Sequence, residues 1–410
     1  MKTRRGRSSS PRRSRGDYSN PVMKHPGSSE TQAGLKSFTG AVTGASYGSV
    51  QSFGAMVILQ EYLEGAFVVQ MASDNSETVL GHSPDTLFAL QSFSDLLNDD
   101  QVEIFSHYID LIQPPVDNRV IVGPAMFELT IDDRLGISRR LWCSLHANPL
   151  DRNTLICEFE LQNDHMNPLN AAARILPAGL AGTSGHLPKN CRKTSVFDGI
   201  YRPLRILPST RKGVAELTAM EAIRIVDQIQ NQLGSASTVE ALLEITVSSV
   251  RDLTGFSHVV VTKYESETHA LISPALTESS FMELAIPHQA QKIPHAEQVW
   301  LVYDQEQTNS RMICRDTENA KHTLDMSCAY LRAMSPSQVN TLRLNKIRSF
   351  MSVNIIVPHK VWGVISCRSY EQFPMRAPLP VRKICLIICN TLARNIERLS
   401  YAPHLPRRAS

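Results

Sequence analysis

The sequence has little cysteine and none in its first third. Eight cysteines occur among 410 residues, all between Cys143 and Cys389, and none shows paired spacing. This distribution argues against a disulfide-stabilised secreted domain and predicts reduced thiols. The N-terminus lacks the apolar core of a secretory signal, and no run of about 18 apolar residues predicts a membrane-spanning helix. We therefore expect a cytoplasmic protein without a membrane partner, with a nuclear location as the alternative.

Motifs of several large enzyme classes are also missing. The sequence has no HExxH zinc motif, no Walker phosphate loop and no Gly-rich dinucleotide turn. Cys385 and Cys389 share a helix face at i, i+4 spacing, as two metal ligands would. No further ligand cluster accompanies them, so core packing is the favoured interpretation. These absences predict a protein that is not an enzyme and binds no metal.

Charge is nearly balanced over the chain but not at its N-terminus. The net charge of +3 is too small to indicate a nucleic-acid partner by itself. Residues 1–36 form a basic tail with few apolar side chains, so we expect this tail to be disordered. It fits a nuclear-import patch or an arm that contacts phosphate weakly, and equally a solvated tail without a partner.

Residues 37–165 have the pattern of an antiparallel sheet with helices on one face. Ser83 and Pro84 open a short helix, because proline is tolerated at the first helical position. The first two apolar runs flank a Gly-containing turn, and the later three alternate apolar with polar residues, as strands with one buried face do. The five runs are residues 55–59, 66–73, 127–131, 140–148 and 154–161.

A second α+β domain is predicted over residues 213–402. Residues 166–212 before it lose periodicity and predict a flexible linker, and residues 403–410 form a tail. Ser237 and Glu240 have the spacing of a capping box, and Gly255 is the expected helix stop. The predicted helices and strands are residues 214–233, 237–254, 258–264, 349–357, 361–370 and 381–401.

Segments in both halves resemble phytochromes, most closely those of fungi and bacteria. The segments are GSVQSFGAMVILQ, SDNSETVLGHSPDTLFAL, LICEFEL, AIPHQAQ, VYDQEQTNSRMICR, TLDMSCAYLRAM, LRAMSP, VWGVISCRSY and IERLSY. They follow the family's order over about residues 40–401, apart from the linker. The resemblance implies a PAS-like domain followed by a GAF-like domain, each an antiparallel sheet flanked by helices. It also implies a knot, in which residues 42–52 thread through a GAF loop between residues 302 and 325.

In phytochromes the GAF pocket holds a linear tetrapyrrole, or bilin, that responds to red light. The resemblance assigns ten positions of this chain to that pocket. The retained positions are Ile286, Pro287, Arg332, Ser335 and Ser352. The substituted positions are Ala285, Trp300, Ser337, Gln338 and Arg368.

The substitutions remove chemistry that a bilin needs. No cysteine precedes Cys143, so the linkage of fungal and bacterial members is missing, and Ser337 stands where the plant-type thiol would be. Ala285 replaces a carboxylate, and Gln338 replaces a histidine. Arg368 and Ser369 stand where the family has a pair of histidines, and Trp300 replaces an arginine that binds a propionate of the bilin. Cys328 could be proposed as a substitute attachment point, although a buried structural thiol is favoured.

The resemblance therefore implies a phytochrome-like signal-transduction module without covalent bilin, which acts through protein–protein association. The alternative is a working red/far-red photoreceptor that holds a biliverdin-type bilin non-covalently. Without bilin, we expect Trp300 and Phe350 to narrow the GAF cavity. Arg368 should then point toward the cavity or pair with an acid at its rim.

Two helices of the second domain carry the apolar rows on which association would depend. In the family these helices meet their counterparts in a second subunit, which implies a homodimer or a heterodimer with a complete phytochrome. If both apolar rows pack inside one subunit, neither the homodimer nor the heterodimer forms. In the first helix, one apolar stripe is Leu217, Met220, Ile223, Val226 and Leu233, and the offset row that is the candidate for association is Ala222, Ile225, Ile229 and Leu233. In the closing helix, the expected polar positions are Arg382, Lys383, Arg394 and Arg398.

Overall fold

A computed structural model describes most of the two predicted domains. The described residues are 48–62, 65–113, 124–148, 150–162, 201–204, 219–264, 271–272, 299–315, 324–357, 360–370 and 374–401. The basic tail, the final tail and most of the predicted linker lie outside these ranges. Within the ranges, no helix has the length and apolar character needed to cross a membrane.

The described strands form two antiparallel sheets. The first has the order β1-β10-β3-β2-β6-β5-β4, and the second has the order β8-β7-β12-β11-β9. The strands are β1 (Ser49–Gln51), β2 (Gly54–Glu61), β3 (Phe67–Ser73), β4 (Ala125–Asp132), β5 (Ser138–Asn148), β6 (Asp151–Leu161), β7 (His258–Tyr264), β8 (Leu271–Ile272), β9 (Val299–Val302), β10 (Asn309–Cys314), β11 (Ser349–Val357) and β12 (Lys360–Ser369). The predicted α+β class with antiparallel sheets is confirmed.

The helices begin and end where local chemistry favours it. They are α1 (Ser76–Leu80), α2 (Pro84–Ala89), α3 (Asp99–Ile112), α4 (Ala219–Ser235), α5 (Val239–Thr254), α6 (Pro336–Leu344) and α7 (Leu379–Tyr401). Ser83 caps α2 as predicted. The predicted cap of α5 is wrong by one residue, because the Thr238 side chain accepts the Ala241 N–H at 3.2 Å. Gly255 ends α5 with a φ of 73°, which glycine adopts without a Cβ clash.

The first sheet is buried on both faces. Because side chains alternate along a strand, Cys157 and Phe159 of β6 point to one face and Glu158 and Glu160 to the other. The face with Phe159 packs with the side chains of α1, α2 and α3 in one apolar core. The opposite face, through Met56 and its neighbours, joins a second core that includes the GAF-like domain.

The second sheet also has two distinct faces. Its side chains Met351, Val353 and Ile365 belong to the core that contains residues of α4, α5 and α7. The register pairs Ser352 with Trp300 and Phe350 with Arg368, which places these four residues on the opposite face. That face is the one on which the family resemblance puts the pocket.

The two domains are joined by main-chain pairing. Strand β10 comes from the second half of the chain, yet it lies between β1 and β3 of the first sheet. On its other edge, β1 donates from Gln51 N to Leu331 O at 2.7 Å and accepts at Ser49 O from Ala333 N at 3.0 Å. Residues 49–51 therefore lie between two parts of one GAF stretch. The predicted threading requires such contacts, and the passage through the loop stays a prediction.

The apolar rows of the helices are used differently from the expectation. In α4, Ile225, Ile229 and Leu233 are buried, whereas Met220 and Ile223 are each 59% exposed. The row predicted for association is therefore part of the core, and of the other stripe Met220 and Ile223 face outward, while Val226 and Leu233 contact the core. The reason is that α4 packs against α5 and α7, and its side chains Ile225, Ile229 and Leu233 join the same apolar core as residues of those two helices. In α7, Arg382 is not a surface position, since it is only 1% exposed.

Candidate functional site

A small cavity lies beside β9, on the segment that leads into α6. Its volume is about 60 Å³. It is lined by Val299, Trp300, Leu301, Ala329, Tyr330, Arg332, Ala333, Met334, Ser335 and Gln338. Four residues singled out from the sequence thus come together here: Trp300, Arg332, Ser335 and Gln338.

Arg332 and Trp300 form the polar and aromatic wall of this cavity. The guanidinium carbon of Arg332 lies 3.5 Å from the centre of the Trp300 ring, which is a cation–π contact. Its Nη1 donates to the carbonyl oxygen of Ser327 at 2.9 Å. Burial lowers the pKa of Arg332 to about 10, so the side chain remains charged at neutral pH. Among the described residues, no carboxylate forms an ion pair with it.

Ser335 and Gln338 have a structural task at the edge of the cavity. The Ser335 hydroxyl accepts the Gln338 N–H at 3.4 Å, and Gln338 Oε1 accepts the Ser335 N–H at 3.0 Å. This reciprocal pair is a capping box that satisfies two N–H groups at the start of α6. The residue that replaces the family's histidine therefore stabilises the helix end.

Other predicted positions do not line the cavity. Phe350 packs instead with Val302, Leu342 and Ile347, so the expectation that it narrows the cavity is wrong. Phe350 pairs with Val302, two residue pairs along the strands from the pair of Ser352 and Trp300. Arg368 is half-buried and is not among the residues that line the cavity, and it has no ion pair among the described residues.

Ser352 is buried beside Trp300 in the register of β9 and β11. Ser337 lies in the first turn of α6. Ala285, Ile286 and Pro287 lie outside the described residues.

The described cysteines behave as structural thiols. Cys328 is 4% exposed and does not line the cavity. Burial raises the pKa of Cys385 to about 12, and it raises the pKa values of Cys367 and Cys389 well above the ordinary thiol value. A thiol with a raised pKa is a poor nucleophile and a poor metal ligand at neutral pH. In the described part of the chain, no three His, Cys, Asp or Glu side chains cluster as a metal site would require.

Gln51 braces the cavity from the PAS-like side. Its Nε2 donates to Leu301 O at 2.6 Å and to Arg332 O at 3.2 Å, and its Oε1 accepts the Tyr303 N–H at 3.0 Å. The side chain is 7% exposed. One residue of β1 therefore holds both walls of the cavity, a role that the sequence pattern does not indicate.

A buried group of charges next to the cavity was also missed from sequence. Glu158 and Glu160 of β6 and Arg382 of α7 are each less than 3% exposed. Arg382 donates from Nη2 to Glu160 Oε1, and Glu158 Oε2 accepts the Leu331 N–H at 2.6 Å. The alternation of β6 shows that the two acids share a face. It does not show that the GAF-like domain covers that face.

Glu158 is the member of this group with the clearest change in acidity. Burial raises the pKa of Glu158 to about 7, against the opposing effect of backbone N–H groups at Leu331 and Tyr330. Its Oε1 lies 3.4 Å from the Ser144 hydroxyl and 3.9 Å from His146 Nδ1. Two neighbouring charges also act on the pKa of Glu158: Arg382 on α7 lowers it, and Glu160 on β6 raises it.

Comparison with known proteins agrees with this architecture. The family model of the PAS fold matches residues 45–161. A bacteriophytochrome of Pseudomonas aeruginosa is 26% identical over 188 residues, which are 44% of this chain and 25% of that protein. Cyanobacterial phytochrome B of a Nostoc species is 26% identical over 160 residues, which are 37% of this chain and 21% of that protein. The chain thus matches only about a quarter of the length of these relatives.

Solved structures extend the likeness to both domains. The chromophore-binding domain of Stigmatella aurantiaca phytochrome P1 superposes with a TM-score of 0.58 at 19% identity, covering 85% of this chain and 95% of that one. The chromophore-binding domain of an unusual bacteriophytochrome from R. palustris has a TM-score of 0.58 at 17% identity, covering 87% of this chain and 97% of that one. These likenesses show a shared two-domain fold.

Proposed function

We propose that this chain, a phytochrome-type PAS–GAF region, acts in signal transduction through protein association and without a covalently bound bilin. The observation that carries the proposal is the size of the cavity on the expected pocket face. It measures about 60 Å³. Pockets for drug-sized ligands measure about 300–1,000 Å³, several times the volume of this cavity. Trp300 and Arg332 stack on each other where a larger ligand would need room.

The sequence chemistry supports the same proposal. A thioether needs a thiolate, and the chain has no cysteine before Cys143. Ser337 offers a hydroxyl at the plant-type position. In the capping box of α6, Gln338 and Ser335 already satisfy each other's main-chain N–H groups. Arg332 is the retained cation that could still attract an anionic group of a ligand.

Absorption spectroscopy tests the absence of bilin. The protein is co-expressed with haem oxygenase, which supplies biliverdin, and its spectrum is recorded after purification under native and denaturing conditions. We expect no absorption band in the red or far-red. A band that interconverts on illumination would contradict the proposal and favour a photoreceptor with non-covalent bilin. Trp300→Arg serves as a matched variant, because it returns the family's residue to the cavity wall.

The association part of the proposal rests on α4. Met220 and Ile223 lie on its outer side, each with 59% of its surface exposed, while Ile225 and Ile229 fill the core. Two large apolar side chains one turn apart form a natural contact for a second helix. We propose that this row meets a second copy of the chain, or the equivalent helix of a complete phytochrome.

Light scattering after size-exclusion chromatography tests association. The wild-type chain is expected to run as a dimer at tens of micromolar, or to capture a complete phytochrome. Ile223→Glu is expected to abolish either complex without unfolding the protein. Leu135→Glu is the matched control, since Leu135 is 84% exposed in the PAS-like domain, far from α4. A monomeric wild type that captures no phytochrome would contradict the association proposal and leave the spectroscopic test unaffected.

A further inference from the structure

The buried charges between the domains connect the cavity with the closing helix. Glu158 and Glu160 lie two residues apart on β6, so both side chains point into the domain interface. Glu158 accepts the N–H of Leu331 at 2.6 Å, within the segment that lines the cavity. Glu160 pairs with Arg382, in the first turn of α7. One strand of the PAS-like domain therefore holds both features of the GAF-like domain.

A second contact links the same parts directly. The guanidinium carbon of Arg382 lies 5.2 Å from the centre of the Tyr330 ring, and Tyr330 lines the cavity. Arg382 is fully buried, and Glu160 is its ion-pair partner among the described residues. Because buried charges are costly without partners, any shift of α7 along the sheet must either carry Glu160 with it or leave both charges unpaired.

We propose that the acid pair Glu158 and Glu160 is a mechanical link through which the cavity wall at residues 329–333 and helix α7 are positioned together. The PAS-like domain then has a task beyond covering the GAF-like domain. A change at the cavity moves the Leu331 main chain, Glu158 follows its hydrogen bond, and the ion pair of Glu160 carries the change to α7. The link needs no bilin and does not depend on dimer formation.

Hydrogen exchange followed by mass spectrometry tests this link. Glu160→Gln keeps the size of the side chain and leaves the contact of Arg382 with Tyr330 in place. The loss of one charged partner of a buried pair is expected to speed amide exchange about tenfold, both in the first turn of α7 and at residues 329–333. Glu128→Gln is the matched control, because Glu128 lies on the same sheet face but its side chain is 55% exposed.

Two outcomes would overturn the proposal. In one, α7 exchanges faster in Glu160→Gln while residues 329–333 keep the wild-type rate. In the other, exchange rises equally in α1–α3, which shows general destabilisation rather than a specific link. Glu158→Ala provides a further check. If the link is real, Glu158→Ala also speeds exchange in the first turn of α7, because the change at Leu331 is passed on through Glu160 and Arg382.

Discussion

At strand β6, both faces of the first sheet are buried, but the side chains on them differ in chemistry. Phe159 and Glu160 are neighbours on β6, and both are at most 2% exposed. Phe159 meets the Phe93 ring at 5.8 Å inside an apolar core built by the domain itself. Glu160 meets an arginine from a helix more than 200 residues away in the chain. One face therefore stabilises a domain, and the other specifies how two domains fit together.

The largest expected effect lies on the apolar face. Phe159→Ala removes a fully buried ring and leaves a cavity, so it should lower the free energy of unfolding by about 4 kcal/mol. Urea denaturation followed by circular dichroism measures this change. Leu135→Ala is the control and should change stability by less than about 0.5 kcal/mol, because Leu135 is largely exposed. A small effect of Phe159→Ala would mean that this face is not the main source of stability.

The next largest effect on stability concerns the buried ion pair of Arg382 and Glu160, and it differs between removing one partner and replacing both. Arg382→Met leaves Glu160 without its partner and should cost about 3 kcal/mol. The double variant Arg382→Met, Glu160→Met replaces both charges with apolar side chains and should recover most of that loss. Thermal and urea unfolding of the two single variants and the double variant give the coupling energy. Additive losses would show that the pair is not coupled. Lys383→Met, on the exposed side of α7, is the control.

A smaller effect depends on pH. The pKa of Glu158 is raised from an ordinary value of 4.5 to about 7, so the folded protein binds this proton more tightly than the unfolded chain does. Stability from this group is complete below the ordinary value and is lost as the pH rises to about 7. Glu158→Gln cannot ionise yet still accepts the Leu331 N–H. In the wild type, the free energy of unfolding should fall by about 2.5 kcal/mol between the two ends of this range, and Glu158→Gln should not show this fall.

Urea unfolding of the wild type and of Glu158→Gln on either side of that pH range measures the difference. If both proteins show the same pH dependence, another group is responsible, and the assignment to Glu158 fails.

The smallest effect compares equivalent acids in one row of the sheet. Glu128, Trp142 and Glu160 are successive register partners on β4, β5 and β6. Glu128 pairs with Arg140 at 3.8 Å in solvent, so Glu128→Gln should change stability by at most about 0.5 kcal/mol. Glu160→Gln should cost several times more in the same urea assay. If Glu128→Gln and Glu160→Gln lowered stability equally, the acid in the domain interface would contribute no more than the acid in solvent, and the comparison would fail.

The candidate site was predictable only in part. Trp300 on β9 and Arg332, Ser335 and Gln338 on the segment that leads into α6 and on its first turn together line the cavity. Phe350 could not be placed from sequence, because a side chain two residues along the same face of a strand meets different neighbours. The acids of β6 looked like the solvent side of a strand. The alternation of polar and apolar residues along β6 is the same whether its acids contact water or an arginine from another domain.

The sequence by itself determined the elements whose signals are local. Alternation predicted strands β4, β5 and β6, Ser83 predicted the start of α2, and Gly255 predicted the end of α5. Only the tertiary structure decided that β10 joins the first sheet, that Ile225 rather than Ile223 enters the core, and that Arg382 is buried. A local sequence pattern indicates which secondary structure the backbone favours and which face of that element is apolar. The partner on each face depends on contacts between residues far apart in the chain, which no short pattern encodes.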